Sequence, residues 1–263
     1  MTRQNKPVVI VEKKNHVAHI TLNRPDVLNA LSFELLAALK EELEKIKQDE
    51  SVHGVFIQGA GEKAFSAGAD IAFFHTASPL EIREVAKLAI SINELLENLG
   101  KVSIALINGF ALGGGLELAE SCTLRIAVAS AQLGHPEVRL GVVSGWGGTT
   151  RLPRLIGKGR AAELLLTGAM ISAQKAFEMG LVNLVAEKDT LQADGERLMS
   201  EILSNGPVAV KFTWEALHRG LNLSIEESAK LGADYFGLIA ATEDFKAGTG
   251  AFLKKKAPVF KGK

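Results

Sequence analysis

The sequence predicts an α/β fold, and three observations carry that expectation. Strand and helix patterns alternate through the first half of the 263 residues, the chain from Arg151 onward is patterned almost wholly as helices, and no Pro/Gly/Ser linker long enough to separate independent domains interrupts it. Alternation of this kind points to a core built with crossover connections. The expected division is an α/β core over 1–200 and a C-terminal helical region over 201–263.

Taken in order, residues 7–11 and 17–22 read as strands, the second with Ala18, Ile20 and Leu22 alternating against His19 and Thr21, and the two should pair as a hairpin. Asn23-Arg24-Pro25-Asp26 breaks the pattern. Ser32 then offers an N-cap to a helix whose Leu35, Leu36, Leu39, Leu43 and Ile46 recur at helical spacing. Residues 53–58 return to strand character and 59–70 read as a glycine-containing loop. Residues 80–99 form a long helix pattern with Ile82, Val85, Leu88, Ile92 and Leu95 on one face, and 102–107 a buried strand. That strand stops at Asn108-Gly109, and Gly113-Gly114-Gly115 open a helix with Glu117 on its first or second turn. Residues 124–129 and 181–186 read as strands, and 160–167, 173–179, 190–204, 207–219 and 224–240 as helices. Lys254, Lys255, Lys256, Lys261 and Lys263 read as a solvated basic tail.

Composition narrows the function classes. Thirty basic and thirty acidic residues give no electrostatic case for nucleic acid or an anionic membrane as the main partner. The single cysteine, Cys122, excludes an internal disulfide or a cysteine-based structural zinc site and sits in an apolar setting. The N-terminus has four consecutive apolar residues before Glu12, too few for a signal-peptide core or a membrane span, so a cytoplasmic protein is expected.

Three stretches suit chemistry. Residues 113–117 place a helix start, with its unpartnered N–H groups and positive dipole end, beside a carboxylate. Residues 64–70, Ala-Phe-Ser-Ala-Gly-Ala-Asp, are small residues through which backbone approaches a ligand closely. Gly134-His135-Pro136-Glu137, followed by the glycine-rich 141–148, supplies a second carboxylate at a proline-stiffened turn. Backbone donors from two loops make an oxyanion hole, and two carboxylates beside it can act as acid and base if burial or repulsion raises one of them toward neutrality. Each element alone reads equally as a tight turn or a capping carboxylate. Rival chemistries lack their signatures: there is no G-x-G-x-x-G, no phosphate-binding G-x-x-x-x-G-K-[ST], no H-E-x-x-H, and neither Ser66 nor Ser144 sits in G-x-S-x-G. No metal site is expected, and His135 reads as a packed or hydrogen-bonded pocket residue.

These stretches, together with Leu22-Asn23-Arg24-Pro25, Leu28-Asn29-Ala30-Leu31, Ile171-Ser172-Ala173 and Ala251-Phe252-Leu253-Lys254-Lys255-Lys256, resemble the enoyl-CoA hydratase/isomerase, or crotonase, family over nearly the whole chain. The resemblance implies repeated β-β-α units packed as two sheets, C-terminal helices that build trimers or hexamers, an acyl-CoA substrate and no separate cofactor. It also implies that the N–H groups of Ala69 and Gly114 hold the thioester oxygen. Hydratases of the family have glutamates at both positions matched here by Glu117 and Glu137, which favours syn addition of water to a trans-2-enoyl-CoA. In that scheme Glu117 accepts a proton from water, Glu137 supplies one to the α-carbon, and the backbone of Gly145 helps place the water. Arg24, Val27 and Leu28, and Ala67, Asp70 and Ile71, match positions that line CoA, while Phe252 and Lys255 match C-terminal positions that reach it. An isomerase, a specialised branched-chain hydratase, and a non-catalytic acyl-CoA or RNA binder are the alternatives.

The sequence departs from the common hydratase pattern in several places. Ser144 and Trp146 flank Gly145 where proline and a small residue are frequent, so Trp146 either narrows the acyl pocket or packs beneath it. Thr123 follows Cys122 where an acid is usual, and Phe73, Phe74 and His75 follow the oxyanion loop.

Overall fold

The expected hairpin forms between β1 (Val9–Lys14) and β2 (Val17–Leu22), antiparallel with Val9 opposite Leu22. The structure, a computed structural model, describes residues 6–263; residues 1–5 of the N-terminal stretch weighed above as a leader lie outside it. The remaining strands are β3 (Gly54–Gly59), β4 (Ala64–Ser66), β5 (Val102–Ile107), β6 (Phe110–Leu112), β7 (Leu124–Val128), β8 (Gln132–Gly134), β9 (Met170–Ser172) and β10 (Leu184–Ala186). The helices are α1 (Phe33–Gln48), α2 (Ile71–Thr76), α3 (Pro79–Glu97), α4 (Gly114–Ser121), α5 (Gly148–Ile156), α6 (Lys158–Thr167), α7 (Ala173–Met179), α8 (Leu191–Leu203), α9 (Pro207–Gly220), α10 (Ile225–Ile239) and α11 (Glu243–Leu253). Short 3-10 turns cover Pro25–Val27 and Pro136–Leu140.

Two sheets result. One runs β1-β2-β3-β5-β7-β10 and is parallel except for the hairpin, and the other runs β4-β6-β8-β9 and is parallel except for β8 with β9. Three strands of the first sheet each lead into a short strand of the second: β3 into β4, β5 into β6, β7 into β8. At the β5–β6 step Asn108 explains the break after the apolar run. Its Oδ1 accepts from the Gly59 N–H (3.1 Å) and its Nδ2 donates to the carbonyls of Gly59 and Gly61 (2.9 and 2.8 Å), while a Cβ on Gly109 would fall 2.1 Å from the Lys63 carbonyl oxygen. Chain contacts group Met1–Gly195 and Glu196–Lys263 into two units, both sheets falling in the first.

The apolar spacing of α1 works as expected: the Ser32 hydroxyl accepts from Leu35 N–H, and Leu35, Leu36, Leu39, Leu43 and Ile46 are all buried. In α3 the buried stripe is Val85, Ala89, Ile92, Asn93 and Leu96, rotated from the face expected, because the small Ala89 and the polar Asn93 take the inward positions and leave Ile82, Leu88 and Leu95 partly exposed. The expected loop 59–70 contains β4, and α2, α5 and α11 were not anticipated. Three-residue strands are too short to show a period, α5 begins at glycine with Pro153 inside it, and α11 carries two interior glycines that depress helix propensity.

Helix α4, whose eight residues are all buried, is tied at its C-terminus by Arg125 of β7. Its Nε donates to the Leu181 carbonyl (2.7 Å) and its Nη1 to the Cys122 carbonyl (2.7 Å), with the Ala119 and Glu120 carbonyls at 3.4 Å. A cation there complements the negative end of the helix dipole. Thr123, in place of the usual acid, exchanges hydrogen bonds with Ser103: each residue's N–H donates to the other's hydroxyl, at 3.2 and 3.0 Å. Cys122 is buried, as its setting implied, and burial pushes its thiol up to about 12. Replacing Arg125 with methionine orphans buried carbonyls that each cost about 1–3 kcal/mol. A loss on the order of 3 kcal/mol or more in urea unfolding is expected, and an unchanged midpoint would show that the cap is dispensable.

Candidate active site

Each of the three glycines that open α4 faces a different neighbour. Gly113 adopts φ +49°, and a Cβ there would lie 3.1 Å from Glu137 Oε1. A Cβ on Gly114 would fall 2.5 Å from the Trp146 ring, and one on Gly115 2.4 Å from the Ser66 carbonyl oxygen of β4. The helix start is thus wedged between the second sheet, the indole of Trp146 and the carboxylate of Glu137, with no room for side chains.

Two backbone segments bring their N–H groups to this point. Leu31 and Ala69 form a parallel bridge in which Leu31 N–H donates to Gly68 O (2.8 Å) and Asp70 N–H to Leu31 O (3.4 Å). In extended chain the intervening Ala69 N–H therefore points the other way, toward the cleft that Ala69 lines. Gly114 is the first residue of α4, so its N–H has no intrahelical partner. A Cβ on Gly68 would lie 3.5 Å from that Gly114 nitrogen, so the two segments nearly touch.

The cleft is largely apolar, lined by Ala67, Ile71, Phe74, Leu140, Val142, Val143 and Trp146 as well as the glycines, and both glutamates reach it. Glu117 is 1% exposed, and its Oε1 accepts from the N–H groups of Trp146 (2.9 Å) and Gly148 (2.7 Å). Burial lifts its carboxyl to about 7, against the opposing pull of the Gly148 hydrogen bond and of His135. The loop that supplies those donors is pinned from behind. Asn93 Nδ2 donates to the Trp146 carbonyl (3.0 Å), and Arg151, paired with Glu97, approaches the same oxygen at 3.4 Å.

Glu137 starts the turn after β8 and sits between Gly113 and His135. Burial pushes its carboxyl up, but the hydrogen bonding and charge of His135, with smaller help from its own backbone and Ser144, bring the net direction below the ordinary range. His135 is itself buried, with Nε2 2.9 Å from Glu120 Oε1 and Nδ1 3.7 Å from Glu137 Oε1. Burial favours the neutral ring, yet the Glu120 and Glu137 carboxylates overcome it and raise the imidazole to about 10.

Of the residues expected at the site, Ala67, Ala69, Ile71, Gly114, Glu117, Glu137, Gly145 and Trp146 line one cleft. Arg24, Val27, Leu28 and Asp70 do not line it: Arg24 is tied to Asp70 (3.2 Å) and to the Ala30 carbonyl (2.7 Å), and Val27 and Leu28 belong to the 3-10 turn beside them. Phe252 and Lys255 are exposed in and after α11, in the second unit. Trp146 both lines the cleft and packs under Gly114, with Phe74 edge-on to its ring at 6.3 Å and 79°. Asn93, Arg151 and Glu120 were missed. Glu120 stands three residues after Glu117 on the same helix, and that i,i+3 pair of acids in an otherwise mostly apolar stretch was the available signal. Among the described residues there is no cluster of three or more potential metal ligands, and no helix is long and apolar enough to cross a membrane.

A family model described as enoyl-CoA hydratase/isomerase matches residues 12–263. A crotonyl-CoA hydratase from Syntrophomonas wolfei is 42% identical over 252 residues, covering 96% of this chain and 97% of that protein. A short-chain-enoyl-CoA hydratase from Clostridium acetobutylicum is 42% identical over 248 residues, covering 94% and 95%. The crystal structure of an enoyl-CoA hydratase from Bacillus anthracis superposes with a TM-score of 0.94 at 39% identity, covering 97% of this chain and 100% of that one.

The charges of this site set a pH dependence of stability. His135 is raised from 6.5 to about 10, so its contribution is fully present below about 6.5 and is lost as pH rises through 10; Glu117, raised from 4.5 to about 7, favours folding in its protonated form and loses that advantage between those values. The urea midpoint should therefore fall between pH 6.5 and 10, and fall less in Glu120→Gln. A midpoint flat over that window in the unaltered protein would contradict the assigned charges.

Proposed function

Since the chain belongs to the enoyl-CoA hydratase/isomerase family, we propose that it is an enoyl-CoA hydratase, adding water to a trans-2-enoyl-CoA to give the 3-hydroxyacyl-CoA. The observation that carries this reading is the convergence of two glutamates and two outward-facing backbone N–H groups on one apolar cleft. The oxygen of water bonds to the β-carbon, the C=C electron pair moves toward the thioester, and negative charge gathers on its oxygen. The N–H groups of Ala69 and Gly114 stabilise that charge as it forms, an effect worth about 2.7–4 kcal/mol per donor in a comparable hole. One glutamate takes the proton lost by water and the other supplies the proton that ends on the α-carbon. Two carboxyls in unlike surroundings suit those opposite tasks, since Glu117 is lifted toward neutrality by burial and Glu137 is held below the ordinary range beside His135. The Gly145 backbone helps place the water, and the Trp146 and Phe74 rings close the apolar wall and favour a short acyl chain.

Phe252 and Lys255 reach CoA in this reading, and the exposed apolar residues of the C-terminal unit, Phe236, Leu238, Phe252 and Leu253 among them, build a trimer or hexamer.

Adding the protein to crotonyl-CoA should abolish the absorbance of the conjugated thioester, and no hydration of crotonyl-CoA or of longer and branched 2-enoyl-CoAs would overturn the proposal. Glu117→Gln and Glu137→Gln should each lower kcat by roughly 10²–10⁴-fold with little change in KM. Full activity in either variant removes that residue from proton transfer.

A further inference from the structure

His135 and Glu120 lie outside the roles assigned above, yet they form a buried charged cluster directly behind them. The His135 and Glu120 side chains are fully buried. Nε2 of the ring lies 2.9 Å from Glu120 Oε1, so toward that carboxylate the ring nitrogen must carry hydrogen. The opposite nitrogen, Nδ1, lies 3.7 Å from Glu137 Oε1 and has no hydrogen-bond partner among the described residues. A neutral ring would turn a bare lone pair toward the Glu137 carboxylate oxygen and would place no positive charge between the buried Glu120 and the largely buried Glu137. A ring protonated at both nitrogens meets a negative group at each end and leaves one net negative charge for the three side chains. Burying charge in apolar surroundings is tolerable only with such pairing.

We propose that Glu120 and His135 form a buried positioning pair whose imidazolium holds Glu137 charged and in place in the free enzyme. The charged groups that bear on the ring come from each element packed around it. Glu120 and Glu117 lie on α4, Glu137 on the turn that follows the ring itself, and Arg151 on α5 has its charge close to Glu120 and Glu117. Gly148 of α5 is the point of contact between the two halves of the site, since a Cβ there would fall 2.7 Å from His135 Cε1 and 3.1 Å from Glu117 Oε1. The ring therefore touches the segment that donates to Glu117 on one side and faces Glu137 on the other. Its charge favours the anion at Glu137, while burial favours the protonated form of Glu117. The upward shift of the imidazole and the downward shift of Glu137 agree in direction with this arrangement. The role of the pair in turnover rests on the proposed hydratase reading, but its charge state does not.

The test uses the full chain with ¹⁵N-labelled histidine rings and ¹³C-labelled glutamate carboxyls. His135 should show both ring nitrogens protonated at pH 8 and should lose that state at lower pH in Glu120→Gln. A neutral His135 ring at pH 8 would overturn the proposal. In His135→Gln, the Glu137 carboxyl, assigned by its absence in Glu137→Gln, should titrate about one to three pH units higher. The limb of the kcat/KM profile that belongs to Glu137 should move in the same direction in His135→Gln and in Glu120→Gln. Should His135→Gln fail to fold, Glu120→Gln carries the same prediction at both His135 and Glu137. Lower activity with an unmoved Glu137 titration and an unmoved profile would reduce the pair to a packing role and refute the proposal. An intact imidazolium in a protein that hydrates no enoyl-CoA would count against the hydratase reading alone.

Discussion

The Glu117 carboxylate is buried at the head of a wholly buried helix, with one oxygen held by the N–H groups of Trp146 and Gly148. Leaving such a group without partners costs several kcal/mol, so the segments around it must be fixed in register. Three adjacent glycines let the helix start press against β4, the Trp146 ring and Glu137 at once. Asn93 and the Arg151–Glu97 pair fix the carbonyl of the same Trp146 whose N–H serves Glu117. Arg125 secures the far end of the helix. Both sheets contribute: β5 leads through β6 into α4, and β7 through β8 into the turn that bears Glu137.

The same burial that makes Glu117 structurally demanding makes it chemically useful. An apolar wall of Phe74, Trp146, Leu140 and valines removes water from the carboxyl and lifts it to about 7. Glu137, nearby, is moved the opposite way by its histidine neighbour. Two carboxyls of one chemical type are thereby made unlike, the arrangement by which acid and base tasks are divided at neutral pH. The division is made by a third acid, Glu120, acting through His135. The hole proposed for Ala69 and Gly114 is built from backbone alone, so it carries no titration of its own and constrains only geometry.

Much of this was legible in the residues. The α1 face, the hairpin, the buried β5 strand and the Asn-Gly break follow from period and turn chemistry, and the glycine triplet beside Glu117 marks the helix start that the structure contains. The short strands β4, β6 and β8 were invisible because three residues show no period, although they are what bring residues 64–70, 113–117 and 134–137 together. Asn93 was hidden inside an apolar helix face, and its partner is a carbonyl 53 positions away that no local pattern reveals. The Glu120–His135 pair was hidden for the same reason: each residue alone reads as ordinary, and only the fold places one beside the other. Trp146 left two readings open in sequence; in the structure its ring packs against Gly114 and the residue also lines the cleft.

In the proposed hydratase reaction, two backbone N–H groups polarise a thioester carbonyl at the head of α4. Difference infrared spectroscopy of crotonyl-CoA labelled with ¹³C at the carbonyl, bound to the slow Glu117→Gln variant, reads that polarisation directly. The thioester stretch should lie at lower frequency than in water, as two donors draw electron density onto the oxygen. A bound thioester whose stretch stays at its aqueous frequency would contradict it.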